Sequence, residues 1–122
     1  MSRRRSARSK TAALQRSAVR RFAPIFAALG DETRLRLVAV LCAGGAVSIA
    51  QLTAGTDISR QAVTKHLHVL AEAGLVRDVK VGRERLWEFE PAQLEEARRS
   101  LEAIGRQWDR ALARLENPRQ VR

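Results

Sequence analysis

The sequence has one cysteine, no tyrosine, three phenylalanines and two tryptophans in 122 residues. A lone cysteine, Cys42, rules out an internal disulfide and fits a reducing compartment. Its neighbours Leu41 and Ala43, and its helical spacing from Val38, predict a small buried hydrophobe rather than a redox-sensing thiol. Aromatics are 4% of the chain, too few to offer many stacking platforms for unpaired bases, which counts against single-stranded RNA as a partner. There is no glycine-rich phosphate loop, no nucleophile motif and no acid and base paired at a recognisable spacing, so no enzyme is expected. No run approaches the roughly 18 apolar residues of a membrane span, and no uninterrupted apolar segment follows Arg3 to Arg5 as it would in a secretory signal. The expectation is a cytoplasmic protein with no membrane association.

Acid is also missing where base is dense. Residues 1 to 21 hold Arg3, Arg4, Arg5, Arg8, Lys10, Arg16, Arg20 and Arg21 and no acid, so most of the net charge of +10 sits there. A second basic excess lies between residues 59 and 85, where Arg60, Lys65, Arg77, Lys80, Arg83 and Arg85 outnumber Glu72, Asp78 and Glu84. A polyanion is the partner such a distribution suggests.

Length and a hydrophobic content of 45% allow one small core. Residues 1–17, rich in Arg, Ser and Ala, have little to bury and read as a disordered basic arm, either a solubilising tail or an added phosphate contact. The domain is expected over 18–116, and 117–122 form a tail. Phe22, Ile25, Phe26 and Leu29 recur at helical spacing and stop at Gly30. Asp31 sits where an N-cap belongs, ahead of Leu35, Val38 and Leu41, and Gly44-Gly45 signals that helix's end. Ser48 caps a short helix that yields to the turn Gly55-Thr56-Asp57. Ser59 then caps a helix over 59–73, closed by Gly74, which makes a helix-turn-helix candidate.

Past Gly74 the period changes. Leu75 to Val81 and Arg85 to Phe89 are rich in β-branched, aromatic and other apolar residues, and Gly82-Arg83 suits a two-residue hairpin loop, so 75–90 read as a wing. Pro91 opens a last helix, 91–116, with apolar residues at Leu94, Ala97, Leu101, Ile104, Trp108, Ala111 and Leu115. Alternating steps of three and four residues make a seam that meets another helix. The fold class expected is mainly α with a small β-hairpin, a winged helix-turn-helix that dimerises.

On the helix after Ser59, Val63, Leu67 and Leu70 share one side, and Gln61, Thr64, Lys65 and His68 share another. Residues 59 to 71 contain no acid, unlike an ordinary solvated face with its Glu/Lys pairs. Amide, hydroxyl, ammonium and imidazole groups match the donors and acceptors of base edges and phosphates in a major groove wide enough for one helix. Double-stranded DNA is therefore the expected partner.

The stretches FAALGDETRLRLVAVL (26 to 41), SRQAVTKHLHVLAEAGLV (59 to 76) and VGRERLWEF (81 to 89) resemble the ArsR-type winged-helix repressors. The resemblance implies a recognition helix over 59–73, with major-groove contacts from Arg60, Gln61, Thr64, Lys65 and His68. It implies backbone or minor-groove contacts from Arg83 and Arg85 of the wing. Ser59 caps the helix and can touch a phosphate. For His66, between the polar and buried faces, a phosphate contact and a structural hydrogen bond are both open.

The family's metal sensors use a cysteine pair near the helix before the recognition helix, or His and acidic ligands on the last helix. Neither pattern occurs here, and His66 and His68, two apart, point about 200° away from each other. The resemblance is therefore to a metal-independent branch, with no cofactor and no metal site, and a small-molecule effector is left open. The family's homodimers agree with the final helix's seam, so Phe22, Phe26, Leu94, Leu101, Ile104, Trp108 and Leu115 are the expected dimer contacts. The function expected is a sequence-specific repressor, including an autorepressor, on a palindromic operator. The alternative is a non-specific nucleoid-associated or RNA-binding protein driven by the basic arm.

Overall fold

The computed structural model describes residues 2–116; before Arg16 it describes the side chains of Lys10 and Ala13 only. The tail expected over 117–122 lies outside the described residues. The elements are α1 (Ser2–Leu29), α2 (Glu32–Gly44), β1 (Val47–Ser48), α3 (Ile49–Ala54), α4 (Arg60–Glu72), β2 (Val76–Val81), β3 (Glu84–Phe89) and α5 (Pro91–Glu116).

The first difference from expectation is at the start. Where a disordered arm is expected over 1–17, α1 already begins at Ser2. The segment's alanines and arginines are good helix formers, and an anchored helix extends without a new nucleus. Further along, α1 buries Phe22, Ile25 and Ala28. Pro24 lies inside the helix and leaves the Arg20 carbonyl without its partner four residues on.

The caps fall where the sequence puts them. The Asp31 carboxylate accepts from Arg34 N at 3.0 Å, and Ser59 Oγ accepts from Ala62 N at 3.1 Å. Ser48 and Gln51 form a reciprocal box, Gln51 N donating to Ser48 Oγ at 3.2 Å and Ser48 N to Gln51 Oε1 at 3.0 Å. Each such cap is worth about 1 kcal/mol.

The hairpin spans β2 and β3, paired from Val76↔Phe89 to Val81↔Glu84. Gly82, at φ +64, takes the first turn position, and no residue other than glycine has positive φ among those described. One strand more is present than the sequence predicts: β1 pairs antiparallel with β3 through Val47↔Trp87 and Ser48↔Leu86, giving the order β1-β3-β2. Two residues are too few to show a period, so this strand exists only because β3 offers a free edge.

Leu37, Leu41, Leu67, Leu70, Leu75 and Val63 are fully buried and form the centre of the core. Each such side chain stabilises the fold by about 1.5–3 kcal/mol. Gly74 has φ +77, and a Cβ there would stand 3.1 Å from Gln93 Cγ, so the helix-to-wing corner passes tightly over the start of α5. Cys42 is exposed, which corrects the buried reading. The buried face of α2 is Leu37, Val38 and Leu41; Cys42 lies 100° beyond Leu41, at the edge of that face rather than on it.

Candidate nucleic-acid interface

Two surfaces flank the core. The first is the outer side of α4 together with the wing. Val63, Leu67 and Leu70 hold the opposite side of α4 with no exposure, so its orientation is set from within. Ser59, Arg60, Gln61, Lys65 and His68 are exposed. Ser59 also spends its hydroxyl oxygen on the cap. Thr64 is half-buried, and its hydroxyl donates to Arg60 O at 2.9 Å, so toward a ligand it offers lone pairs rather than a hydrogen.

His66 stands apart from that group. Its Nδ1 lies 3.3 Å from Arg34 Nη1 and 3.9 Å from Asp31 Oδ2, at the corner between α1 and α2. Of the two roles open to it, the geometry places that nitrogen in the structural contact. His68 lies instead against the wing, its ring centroid 6.1 Å from that of Trp87.

On the wing, Arg83 occupies the turn and is exposed. Arg85 Nε lies 3.3 Å from Asp78 Oδ2, so this cation is shared with a neighbour across the strands. Arg77 at the wing's base is braced by Glu88, at 2.6 Å, and by Glu90, at 3.3 Å. The Glu88 hydrogen bond, helped by the charges of both carboxylates, raises the Arg77 pKa above its usual value. Among the described residues Arg60, Lys65, Lys80 and Arg83 form no ion pair. Unpaired cations thus cluster at the start of α4 and the wing tip, where a phosphate backbone can claim them.

The second surface is α5. Of its side chains only Ala97 is fully buried, while Leu94 is half-buried against the core. Leu101, Ile104, Trp108, Leu112 and Leu115 are exposed, Trp108 by 65% and Leu115 by 77%. Phe22, expected at a partner, is buried in the chain's own core, whereas Phe26 is exposed. Arg21 of α1 pairs with Glu96, which ties the two helices together. On the polar side of α5, Arg98 holds Glu95 and Glu102, and the Arg98 hydrogen bond lowers the Glu95 pKa.

The sequence reading missed Arg34. Its signal was present: a cation in the first turn of a helix opposes the helix dipole and needs a reason to be there. Among the described residues no three His, Cys, Asp or Glu side chains converge on a metal position, and no helix is long and apolar enough to cross a membrane.

A family model described as a helix-turn-helix domain matches residues 29–79. The HTH-type transcriptional regulator Rv2034 of Mycobacterium tuberculosis is 39% identical over 85 residues, which cover 70% of this chain and 76% of that protein. The arsenical resistance operon repressor of Escherichia coli is 37% identical over 59 residues, 48% of this chain and 50% of that one. A solved structure of an ArsR-like transcriptional regulator from Rhodococcus sp. RHA1 superposes with a TM-score of 0.69 at 42% identity, covering 82% of this chain and 93% of that one.

Proposed function

Because the chain belongs to the ArsR-type winged helix-turn-helix transcriptional regulators, we propose that it is a repressor that binds a palindromic operator as a homodimer, without a metal sensor site. The observation that carries the reading is the outer face of α4. From Ser59 to Ala71 it carries no acid, Glu72 following only in the last turn; it is exposed at Arg60, Gln61, Lys65 and His68, and backed by side chains with no exposure. A face so held can enter a major groove with fixed side-chain positions, while Arg83 reaches the flanking backbone.

The stripe on α5 supports the dimer. Leu101, Ile104, Trp108 and Leu115 recur on one face and have no cover from their own chain among the described residues. A two-fold axis through such a face presents two recognition helices and doubles the contacts on a symmetric site. One relative at 37% identity is an operon repressor, which supports repression as the mode of control. The sequence's single cysteine, Cys42, and its two histidines, His66 and His68, which point apart on one helix, favour a metal-independent regulator. The site of action follows as the cytoplasm, where the operator is.

A gel-shift titration at physiological salt, with a duplex from the protein's own upstream region and an unrelated duplex, tests this. At least about a hundredfold preference for one site is expected of an operator reader. Equal affinity for its own upstream region, for the unrelated duplex and for duplexes selected from a random pool marks a non-specific binder instead.

A further inference from the structure

Arg34 stands in the first turn of α2, where a cation is disfavoured, and its guanidinium reaches two other helices. Nε donates to Ala28 O at 2.6 Å and Nη2 to Ala27 O at 3.5 Å, so the guanidinium closes the carbonyl end of α1. The remaining arm, Nη1, lies 3.3 Å from Nδ1 of His66 on α4. A single side chain thus joins α1, α2 and the helix read above as the DNA-reading element.

We propose that Arg34 is a positioning residue for the recognition helix, holding His66 as its Nε2–H tautomer and so fixing the rotation of α4 against the α1–α2 corner. This rests on α4 being the helix that reads DNA. A guanidinium has five N–H donors and no acceptor, so an imidazole nitrogen facing it must supply a lone pair. Nδ1 is therefore bare, and the ring hydrogen sits on Nε2. The charged groups that meet the ring are Arg34 and Asp31, both from α2 and its cap. Asp31 already accepts from Arg34 N, α1 and α3 contain no carboxylate, and Asp78 of β2 is turned to Arg85.

The apolar contacts of Val63, Leu67 and Leu70 resist separation of α4 from the core but have no direction. A hydrogen bond from a charged donor has one. His66 lies next in sequence to Lys65 and two residues from Thr64 and His68, so a turn of the helix about its axis moves the whole outer face. Through the Ala27 and Ala28 carbonyls the same guanidinium reaches α1, which packs on α5. The reading helix is in this way keyed to the layer that carries the exposed apolar stripe.

The test has two arms on the full chain. Nitrogen-15 spectra of the imidazoles above neutral pH, assigned with His66→Asn, should show wild-type His66 as the single Nε2–H tautomer. Arg34→Ala should move it to the mixture of a free ring. In the second arm, fluorescence anisotropy is measured on a duplex selected by the protein from a random pool. Arg34→Ala and His66→Ala should each weaken binding about tenfold, and the double variant no further. His66→Asn places an acceptor oxygen where Nδ1 was, so it should stay within about threefold of wild type, and only while Arg34 is present.

If Arg34→Ala does not fold by circular dichroism, Arg34→Gln, which keeps an amide donor for the α1 carbonyls, replaces it. An unchanged tautomer, additive losses in the double variant, or no advantage of Asn over Ala at position 66 overturns the positioning role. If the wild type selects no duplex at all, the DNA-reading assignment fails and the positioning role falls with it, while the spectra still decide whether the Arg34–His66 bond exists.

Discussion

His68 of α4 lies against Trp87 of the wing, with ring centroids 6.1 Å apart and planes inclined by 48°. Trp87 is 5% exposed and His68 is on the surface, so the imidazole covers an edge of the indole and couples α4 to the wing. Ala71, Glu72, Asp78 and Arg85 line the groove beside them.

That contact is measurable through the tryptophan. In a Trp108→Phe background Trp87 is the only indole, and His68→Ala should make its emission more open to acrylamide quenching. Stability to urea should change by no more than about 0.5 kcal/mol, as expected for an exposed position. Identical quenching in both proteins would mean that the imidazole does not shield the indole.

The apolar stripe of α5 predicts an assembly. Trp108→Glu sets a carboxylate at the most exposed aromatic residue of that face, where Trp108 is 65% exposed in the single chain. Sedimentation should show a dimer for the wild type and a monomer for the variant, with helix content unchanged because the residue supports nothing inside its own chain. Affinity for a two-half-site duplex should fall at least about a hundredfold, since one half-site's contacts are lost. A variant that still sediments as a dimer would move the interface elsewhere.

Base reading and phosphate contact separate by sequence dependence. Gln61→Ala and Lys65→Ala should each cost about 1–3 kcal/mol on a selected duplex and much less on random DNA if they read bases. Arg83→Ala should weaken both by a similar factor and lower the salt slope by about 1, as the loss of one phosphate contact does. Equal losses for Gln61→Ala on the two duplexes would move that residue from reading to positioning.

Periodicity and caps made most of this fold legible, because Val63, Leu67 and Leu70 repeat at helical spacing and Asp31, Ser48 and Ser59 have one obvious use each. The same signals located the exposed face of α4 and the seam of α5. What was hidden depended on contacts between distant segments. β1 is two residues long and owes its pairing to β3, Phe22 is buried in the core of its own chain, and Cys42 missed the buried face by one helical step. The Arg34–His66 contact joins residues 32 positions apart, which no local pattern records.

Gly74 carries two constraints at one position. Its φ of +77 suits glycine, and a Cβ would meet Gln93 Cγ at 3.1 Å. Gly74→Ala should therefore lower stability by about 1–3 kcal/mol in urea unfolding. Adding Gln93→Ala relieves the contact and leaves the backbone strain, so it should recover part of the loss. Full recovery would place the whole cost in the side-chain contact, and none would place it in the backbone.

Asp31 gives the fold an acid limb whose sign is fixed. Its pKa lies below the usual 3.8, first because Arg34 N donates to the carboxylate, with the charges of Arg34 and His66 acting in the same direction. A group whose folded pKa is depressed stabilises fully above its unfolded value, and the contribution disappears as pH falls through the folded one. Asp31→Asn keeps a capping oxygen but cannot ionise, so it isolates the charge from the cap. The wild type should be the more stable protein at about pH 6, and the gap should close as the pH falls below about 4. Thermal unfolding of the two proteins across that range measures it. A gap that keeps its size at about pH 3 would show that the charge on Asp31 does not contribute to the fold.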